Sequence, residues 1–341
     1  MSHGRFQNPV SAAMAGFADH FRKQELADHL TDADHLVGRT CLVTGANRGL
    51  GFAIATEFAR RGGRVLMACR SDIPGAGERV KELSKSQKVE MLPVDLSDVD
   101  AIRAFCAQLK ERGETLDVVV LNAGVTPPTS NHTRQGQDRM FAVNYLANVI
   151  LTRRLLASGV IPNETAGNRA RKPPRIIFIS SDSHQGASAI DFDEFGSTAP
   201  YGVTKAIHNY SYFKLVLNTY ATELSRRLNR DGRVDVSVNV ICPGPVNTDI
   251  IRDAPFLLRL VLRGIFTLVF QPPAKAALPV AFLAAAKEMA GTTNEYLHMF
   301  NKKRMDEKCY DARAGALLWQ RSMELWSRID RDLPEDRLPH D

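Results

Sequence analysis

Thr44-Gly45-Ala46-Asn47-Arg48-Gly49-Leu50-Gly51 is the densest cluster of chemistry-bearing positions in the chain. It ends a short apolar run and passes straight into a helical pattern. Glycines there let the backbone turn tightly and approach a phosphate. The helix start adds free N–H groups and the positive end of a dipole. A glycine turn between a first strand and a first helix predicts a nucleotide site; the plain alternative is a tight turn with no ligand. Arg48 lies inside this turn, and Arg70 follows the run Val65-Leu66-Met67-Ala68-Cys69 with no acid at its tip. A dinucleotide site places an acid there for a ribose hydroxyl, or a cation for a 2′-phosphate. Two arginines able to grip phosphate with paired hydrogen bonds therefore predict NADP(H) rather than NAD(H). The alternative for both is a solvated surface charge.

The elements that must carry these residues are legible as alternation. Short apolar or β-branched runs fall at Thr40–Thr44, Val65–Cys69, Val89–Val94, Val118–Asn122, Arg175–Ser181, Val236–Cys242 and, more weakly, Tyr296–Phe300. Helical stretches lie between them: Leu50–Arg61, Gly75–Ser86, Asp98–Glu111, Gln137–Gly159, a long one ending near Asn229, and Ala274–Glu288. Strand and helix in turn predict a Rossmann-like, doubly wound parallel sheet flanked by helices, with its ligand at the carboxyl ends of the strands. Runs such as Val118-Val119-Val120-Leu121 are apolar throughout, as strands covered on both faces are. The expected organisation is a single α/β domain over 38–302, an N-terminal extension over 1–37, and a C-terminal helical extension over 303–341 packed on the same domain. Pro162 to Pro174 reads as a surface loop.

The spacing Gly-x-x-x-Gly-x-Gly resembles the short-chain dehydrogenase/reductase superfamily, and later motifs follow in that family's order. They are Asp95-Leu96, Asn122-Ala123-Gly124, Asn144 in Val143-Asn144-Tyr145-Leu146, Ser180-Ser181, and Pro243-Gly244-Pro245-Val246-Asn247-Thr248. Ala68-Cys69-Arg70, Ser180-Ser181-Asp182-Ser183-His184, Glu223-Leu224-Ser225-Arg226-Arg227-Leu228 and the tail Leu317–Leu325 look like its retinol dehydrogenase-like branch. The resemblance implies a cofactor site of Gly45, Asn47, Arg48, Gly49, Leu50, Gly51, Arg70, Asp95, Leu96, Asn122, Ala123, Gly124, Pro243, Gly244, Val246 and Thr248. It implies hydride transfer between the nicotinamide and an alcohol/carbonyl pair.

In that family a tyrosine supplies the proton. Its free pKa of ~10 is too high for exchange at neutral pH, and a lysine four residues on, on the same helix face, lowers it. Two such pairs exist here, Tyr201/Lys205 and Tyr210/Lys214. The first looks more like the usual motif, because Thr204 precedes its lysine where the second has Phe213. Spacing to the sixth strand favours the second. From Lys205 nine further residues must be accommodated, roughly 13 Å of helix. Tyr210 and Lys214 are therefore the expected pair, with Tyr201/Lys205 kept as the alternative. Both would also touch the cofactor. The resemblance makes Ser181 the oxyanion donor and Asn144 part of a proton path. The plainer readings are a turn-capping serine and a helix asparagine bonded to backbone. His184 reads as a pocket-rim residue.

Bulk properties limit the alternatives. The chain has 341 residues, 44% hydrophobic and 24% charged, with a formal net charge of +6. The basic residues are scattered, so nucleic-acid binding is not expected. Five well-separated cysteines fit neither a disulfide framework nor a metal site. No stretch matches a signal peptide or reaches the ~20 apolar residues of a membrane span, so a cytoplasmic protein is expected. The apolar block at 255–270, interrupted by Arg259 and Arg263, suggests either the wall of a greasy pocket or a peripheral contact with a membrane or second subunit. Either use fits a lipophilic substrate, retinoid-, steroid- or xenobiotic-like. Reduction of an activated C=C bond and a non-catalytic NADP-binding regulator are the rival functions.

Overall fold

The all-apolar runs need cover on both faces, and they receive it. In the structure, a computed structural model, residue 6 and residues 24–170, 172–197, 199–230, 232–246, 271–330 and 332–334 are described. Eight strands among them form one sheet: β1 (Thr40–Thr44), β2 (Arg64–Cys69), β3 (Val89–Pro93), β4 (Val118–Leu121), β5 (Arg175–Ile179), β6 (Ser237–Cys242), β7 (Tyr296–His298) and β8 (Asn301–Lys303). Their order is β3-β2-β1-β4-β5-β6-β7-β8. All pairings are parallel except the last, where β8 turns back antiparallel on β7. The order reverses between β1 and β4, so the loops leaving those strands diverge to opposite faces and open a crevice at their carboxyl ends.

Helices cover the two faces. They are α1 (Gly49–Arg60), α2 (Gly75–Ser84), α3 (Val99–Glu111), α4 (139–157), α5 (Val203–Leu228), α6 (Pro273–Ala285) and α7 (Ala312–Ile329). Side chains alternate along each strand, so the sheet divides its residues between two cores. Leu42, Val119, Leu121, Ile176 and Phe178 face the core under α3, α4, α5 and α7. Cys41, Val43, Val118, Val120 and Ile177 face the other, under α1 and α6. All five cysteines are free and buried, behaving as small apolar side chains.

Helix α4 is not uniform. Arg139–Phe141 is α-helical, Ala142–Leu146 winds as a π turn, and Ala147–Ala157 resumes the α-helix. Asn144 sits in that π turn, a feature frequent at functional sites.

The C-terminal helix α7 lies on α5. Trp319 stacks on Tyr220 with ring centroids 5.7 Å apart and planes at 15°. The guanidinium carbons of Arg153 and Arg227 each stand 4.5 Å from the Trp319 ring. The Asp330 carboxylate, fully buried, receives Arg103 and Arg154. At the other end of the chain, Leu26 N–H donates to the Phe300 carbonyl at 3.0 Å, tying the N-terminal segment to the β7–β8 turn. No helix among the described residues is long and apolar enough to cross a membrane.

Candidate active site

The glycine turn is shaped by sterics. Gly45 and Gly49 adopt φ of +63° and +56°, conformations that favour glycine. Gly51 is constrained differently: a Cβ there would stand 2.4 Å from the Gly45 carbonyl oxygen and 2.5 Å from Asn122 Nδ2. The turn can close only without a side chain at that position. Asn122 completes it, donating from its backbone N–H to Thr44 Oγ1 at 2.9 Å and from Nδ2 to the Thr44 carbonyl at 2.9 Å. Ala123 N–H donates to the same Thr44 hydroxyl at 3.0 Å. Thr44, which the sequence reading did not single out, thereby joins the ends of β1 and β4; its signal was its place between an apolar run and a glycine.

The arginines stand where an anion could reach them. Arg48 and Arg70 are exposed at the edge of the turn, at the start of α1 and the end of β2. Arg70 Nη1 lies 3.6 Å from Asp95 Oδ2, with the arginine side chain 56% exposed. Asp95 also accepts from the backbone N–H and hydroxyl of Ser97 at 2.9 and 2.6 Å. Burial pushes its pKa up, but the Ser97 bonds and Arg70 prevail and hold it below the usual carboxylate range. Asn47 Nδ2 donates to Ser71 Oγ at 3.2 Å and links the turn to β2. A dinucleotide fits this set: a glycine cradle that a Cβ would fill, with cations beside it. Leu50 is buried at the start of α1, and Leu96, after β3, is also buried. Gly124 leaves β4 with Asn144 Oδ1 3.5 Å from where a Cβ would be. Pro243 and Gly244 follow β6, the latter at φ +80°. Val246 pairs with Gln271, whose side chain donates to the Pro243 carbonyl. Thr248 and the apolar block at 255–270 lie outside the described residues.

The two tyrosine–lysine pairs fall in different environments. Lys214 is buried on α5 and its Nζ donates to the Ile179 carbonyl at 2.8 Å, at the end of β5. Tyr210 lies one turn earlier, half-buried, with Lys214 Nζ 5.5 Å from its ring centroid. Burial lowers the Lys214 pKa to about 8, against a small opposing effect of the Cys242 thiol. Burial pushes the Tyr210 phenol well up, so in the free protein it is protonated. Tyr201 precedes α5, and Lys205 is exposed. Tyr201 is itself buried, its phenol pushed up by burial and then by the Asp138 carboxylate.

Ser180 is buried at the end of β5, whereas Ser181 is half-buried. Ser181 Oγ accepts a long bond from Ser183 N–H, 3.3 Å, and so caps the short 3-10 turn Asp182–Gly186. The Asn144 side chain pairs with both backbone groups of one residue: Oδ1 accepts from Val125 N–H at 2.8 Å and Nδ2 donates to the Val125 carbonyl at 2.9 Å. Its own carbonyl accepts from Asn148 Nδ2 at 3.0 Å. His184 is not at a rim. It is fully buried, with Nδ1 2.7 Å from the Ser181 carbonyl and Nε2 accepting from Asp306 N–H at 3.2 Å. Asp306 caps the 3-10 turn Glu307–Tyr310 that follows β8, and β8 itself is not legible in the sequence because a three-residue edge strand has no periodicity to read.

Among the described residues no group of acids, histidines or cysteines could hold a metal ion. The family model for short chain dehydrogenase matches residues 39–255. Human retinol dehydrogenase 13 is 33% identical over 309 residues, covering 89% of this chain and 88% of that protein. Human polyprenol dehydrogenase is 30% identical over 294 residues, 86% of each. Among solved structures, the Pseudomonas aeruginosa RhlG/NADP active-site complex aligns with a TM-score of 0.58 and 25% identity, over 79% of this chain and 97% of that one. An uncharacterised Mycobacterium paratuberculosis protein aligns with a TM-score of 0.65 and 24% identity, over 89% and 99%.

Proposed function

Because the chain belongs to the short-chain dehydrogenase family of oxidoreductases, we propose that it is an NADP(H)-dependent enzyme interconverting a lipophilic alcohol and its aldehyde or ketone. The observation that carries this reading is the buried Lys214 ammonium, bonded to the Ile179 carbonyl two residues before Ser181 and one helical turn from Tyr210. Bound NADP(H) would supply or accept the hydride. Its pyrophosphate would lie against the turn of Gly45, Asn47, Gly49 and Gly51 at the start of α1, and its 2′-phosphate between Arg48 and Arg70. Asp95, Leu96 and the loops after β4 and β6 would frame the rest.

The chain's own groups then divide the work. In reduction, Tyr210 Oη gives its proton to the carbonyl oxygen as negative charge develops there. A phenol held protonated by burial suits that direction. In oxidation the same oxygen must take a proton, and a charged Lys214, 5.5 Å from the ring centroid, would favour the phenolate. Ser181 Oγ–H donates to the developing oxyanion; the bond from Ser183 N–H uses the oxygen as acceptor and leaves the hydroxyl proton free. Asn144, its amide bound to Val125, fixes the loop after β4 and keeps a second amide N–H and a second oxygen lone pair for a proton path.

Two of the relatives are named for retinol and polyprenol, both lipophilic alcohols, and this supports an apolar substrate. The RhlG structure is an NADP complex, which supports the cofactor assignment. The deciding experiment follows NADPH and NADH consumption with a panel of aldehydes and ketones of increasing apolar length. Activity confined to small polar carbonyls, or a preference for NADH, overturns the corresponding part.

A further inference from the structure

The residue after Ser181 is a buried acid. Asp182 has 7% of its side chain exposed and no catalytic task in the reaction above. An ion in that position costs several kcal/mol unless it is paired and hydrogen-bonded. Its partners come from the far end of the chain. Lys303 Nζ, on β8, donates to Asp182 Oδ2 at 3.0 Å. The Tyr296 hydroxyl on β7 donates to Oδ1, and Gln185 Nε2 approaches the same oxygen at 3.3 Å. His298 Nδ1 stands 3.9 Å from Oδ2. The next turn of the same loop is held as well. Asp306 N–H can only donate, so His184 Nε2 is the acceptor and Nδ1 carries the proton given to the Ser181 carbonyl.

We propose that Lys303 is a positioning residue for Ser181: by pairing the buried carboxylate of Asp182 it pins the turn 181–187 that presents the serine hydroxyl. Without Lys303 the Asp182 carboxylate loses its ammonium partner, with Tyr296, Gln185 and the His298 ring remaining, and the adjoining peptide of Ser181 is held less firmly. The antiparallel strand β8, an addition to an otherwise parallel sheet, thereby acquires a task at the site.

The inference about activity rests on the oxidoreductase reading; the inference about the loop does not. The test uses the full chain and three variants: Lys303→Met, Lys303→Arg and the neutral pair Asp182→Asn/Lys303→Met. In the ligand-free protein, amide hydrogen exchange at 181–187 in Lys303→Met should quicken more than about tenfold, with the β1–β4 core unchanged. In turnover the same variant should lose kcat by up to about 100-fold, the scale of a 1 Å misplacement, while KM for the dinucleotide stays put. Lys303→Arg should regain most of the rate, and the neutral pair should exchange more slowly at 181–187 and turn over faster than Lys303→Met, because the carboxylate that lost its partner is gone. Wild-type exchange at 181–187 in Lys303→Met overturns the proposal, as does a uniform rise across the chain. So does a neutral pair no better than the single variant. A local exchange response in a protein that reduces no carbonyl supports the pinning and sinks the functional reading instead.

Discussion

Lys214 Nζ donates to the carbonyl oxygen of Ile179 at 2.8 Å, so the helix that carries Tyr210 is bolted to the strand that leads into Ser181. The bond crosses from α5 to β5, and one contact fixes three of the candidate groups relative to one another. Lys205 has no such anchorage at its exposed position.

That difference makes the choice of tyrosine testable. Tyr210→Phe should reduce turnover by about 100-fold or more while dinucleotide binding, followed by fluorescence titration, survives. Tyr201→Phe should leave turnover within a few fold. A dead Tyr201→Phe protein beside an active Tyr210→Phe one would reverse the assignment.

The buried lysine also predicts a pH dependence of stability in the ligand-free protein. Burial holds its pKa at about 8 against 10.5 in the unfolded chain. Between those values the unfolded state binds the extra proton, so this residue's contribution to stability rises as pH rises and is lost as pH falls through 8. The full swing is about 3 kcal/mol. Urea unfolding at pH 7 and pH 10 should therefore show wild type gaining on Lys214→Met as pH increases. A gap between the two that is the same at both pH values refutes the buried-ammonium account.

Cofactor preference should follow Arg70. Arg70→Glu removes a phosphate donor and adds a repelling charge, so Kd for NADPH should rise by about 100-fold or more while Kd for NADH changes far less. Parallel losses for the two dinucleotides would show that the 2′-phosphate lies elsewhere.

The glycine turn should tolerate no side chain at Gly51. Gly51→Ala places a methyl 2.4 Å from the Gly45 carbonyl oxygen and 2.5 Å from Asn122 Nδ2. The turn must open, at a cost of about 1–3 kcal/mol, and dinucleotide binding should fall with it. Unchanged Tm and affinity would mean the turn relaxes freely.

Trp319→Ala tests whether α7 is integral to the fold. It deletes the ring stacked on Tyr220 and flanked by Arg153 and Arg227. A loss of about 3–5 kcal/mol in unfolding free energy is expected, since the cavity cannot collapse between two helices. A loss below about 1 kcal/mol would show that α7 is only loosely attached.

Periodicity and spacing were enough for the parallel sheet, its helices and the glycine turn, because each is a local pattern repeated along the chain. The apolar runs at 118–121 and 176–179 announced strands covered on both faces, and the structure buries them completely. The π turn around Asn144 escaped notice because one extra residue in a helix leaves the apolar pattern almost unchanged. His184 was misplaced at a rim because its partner, the Asp306 amide, lies 122 residues away and carries no side-chain signature.

Residue types and order by themselves determined the family and the fold, and named candidate groups for binding a dinucleotide and moving a proton. They left two tyrosine–lysine pairs standing, since both have the same spacing and both can be drawn on a helix. Tertiary structure separated their surroundings by burying Lys214 against the Ile179 carbonyl and leaving Lys205 in water. The physical reason is that an ammonium's pKa depends on what surrounds it in space, and Lys214, Tyr210 and the end of β5 meet only after the chain has folded.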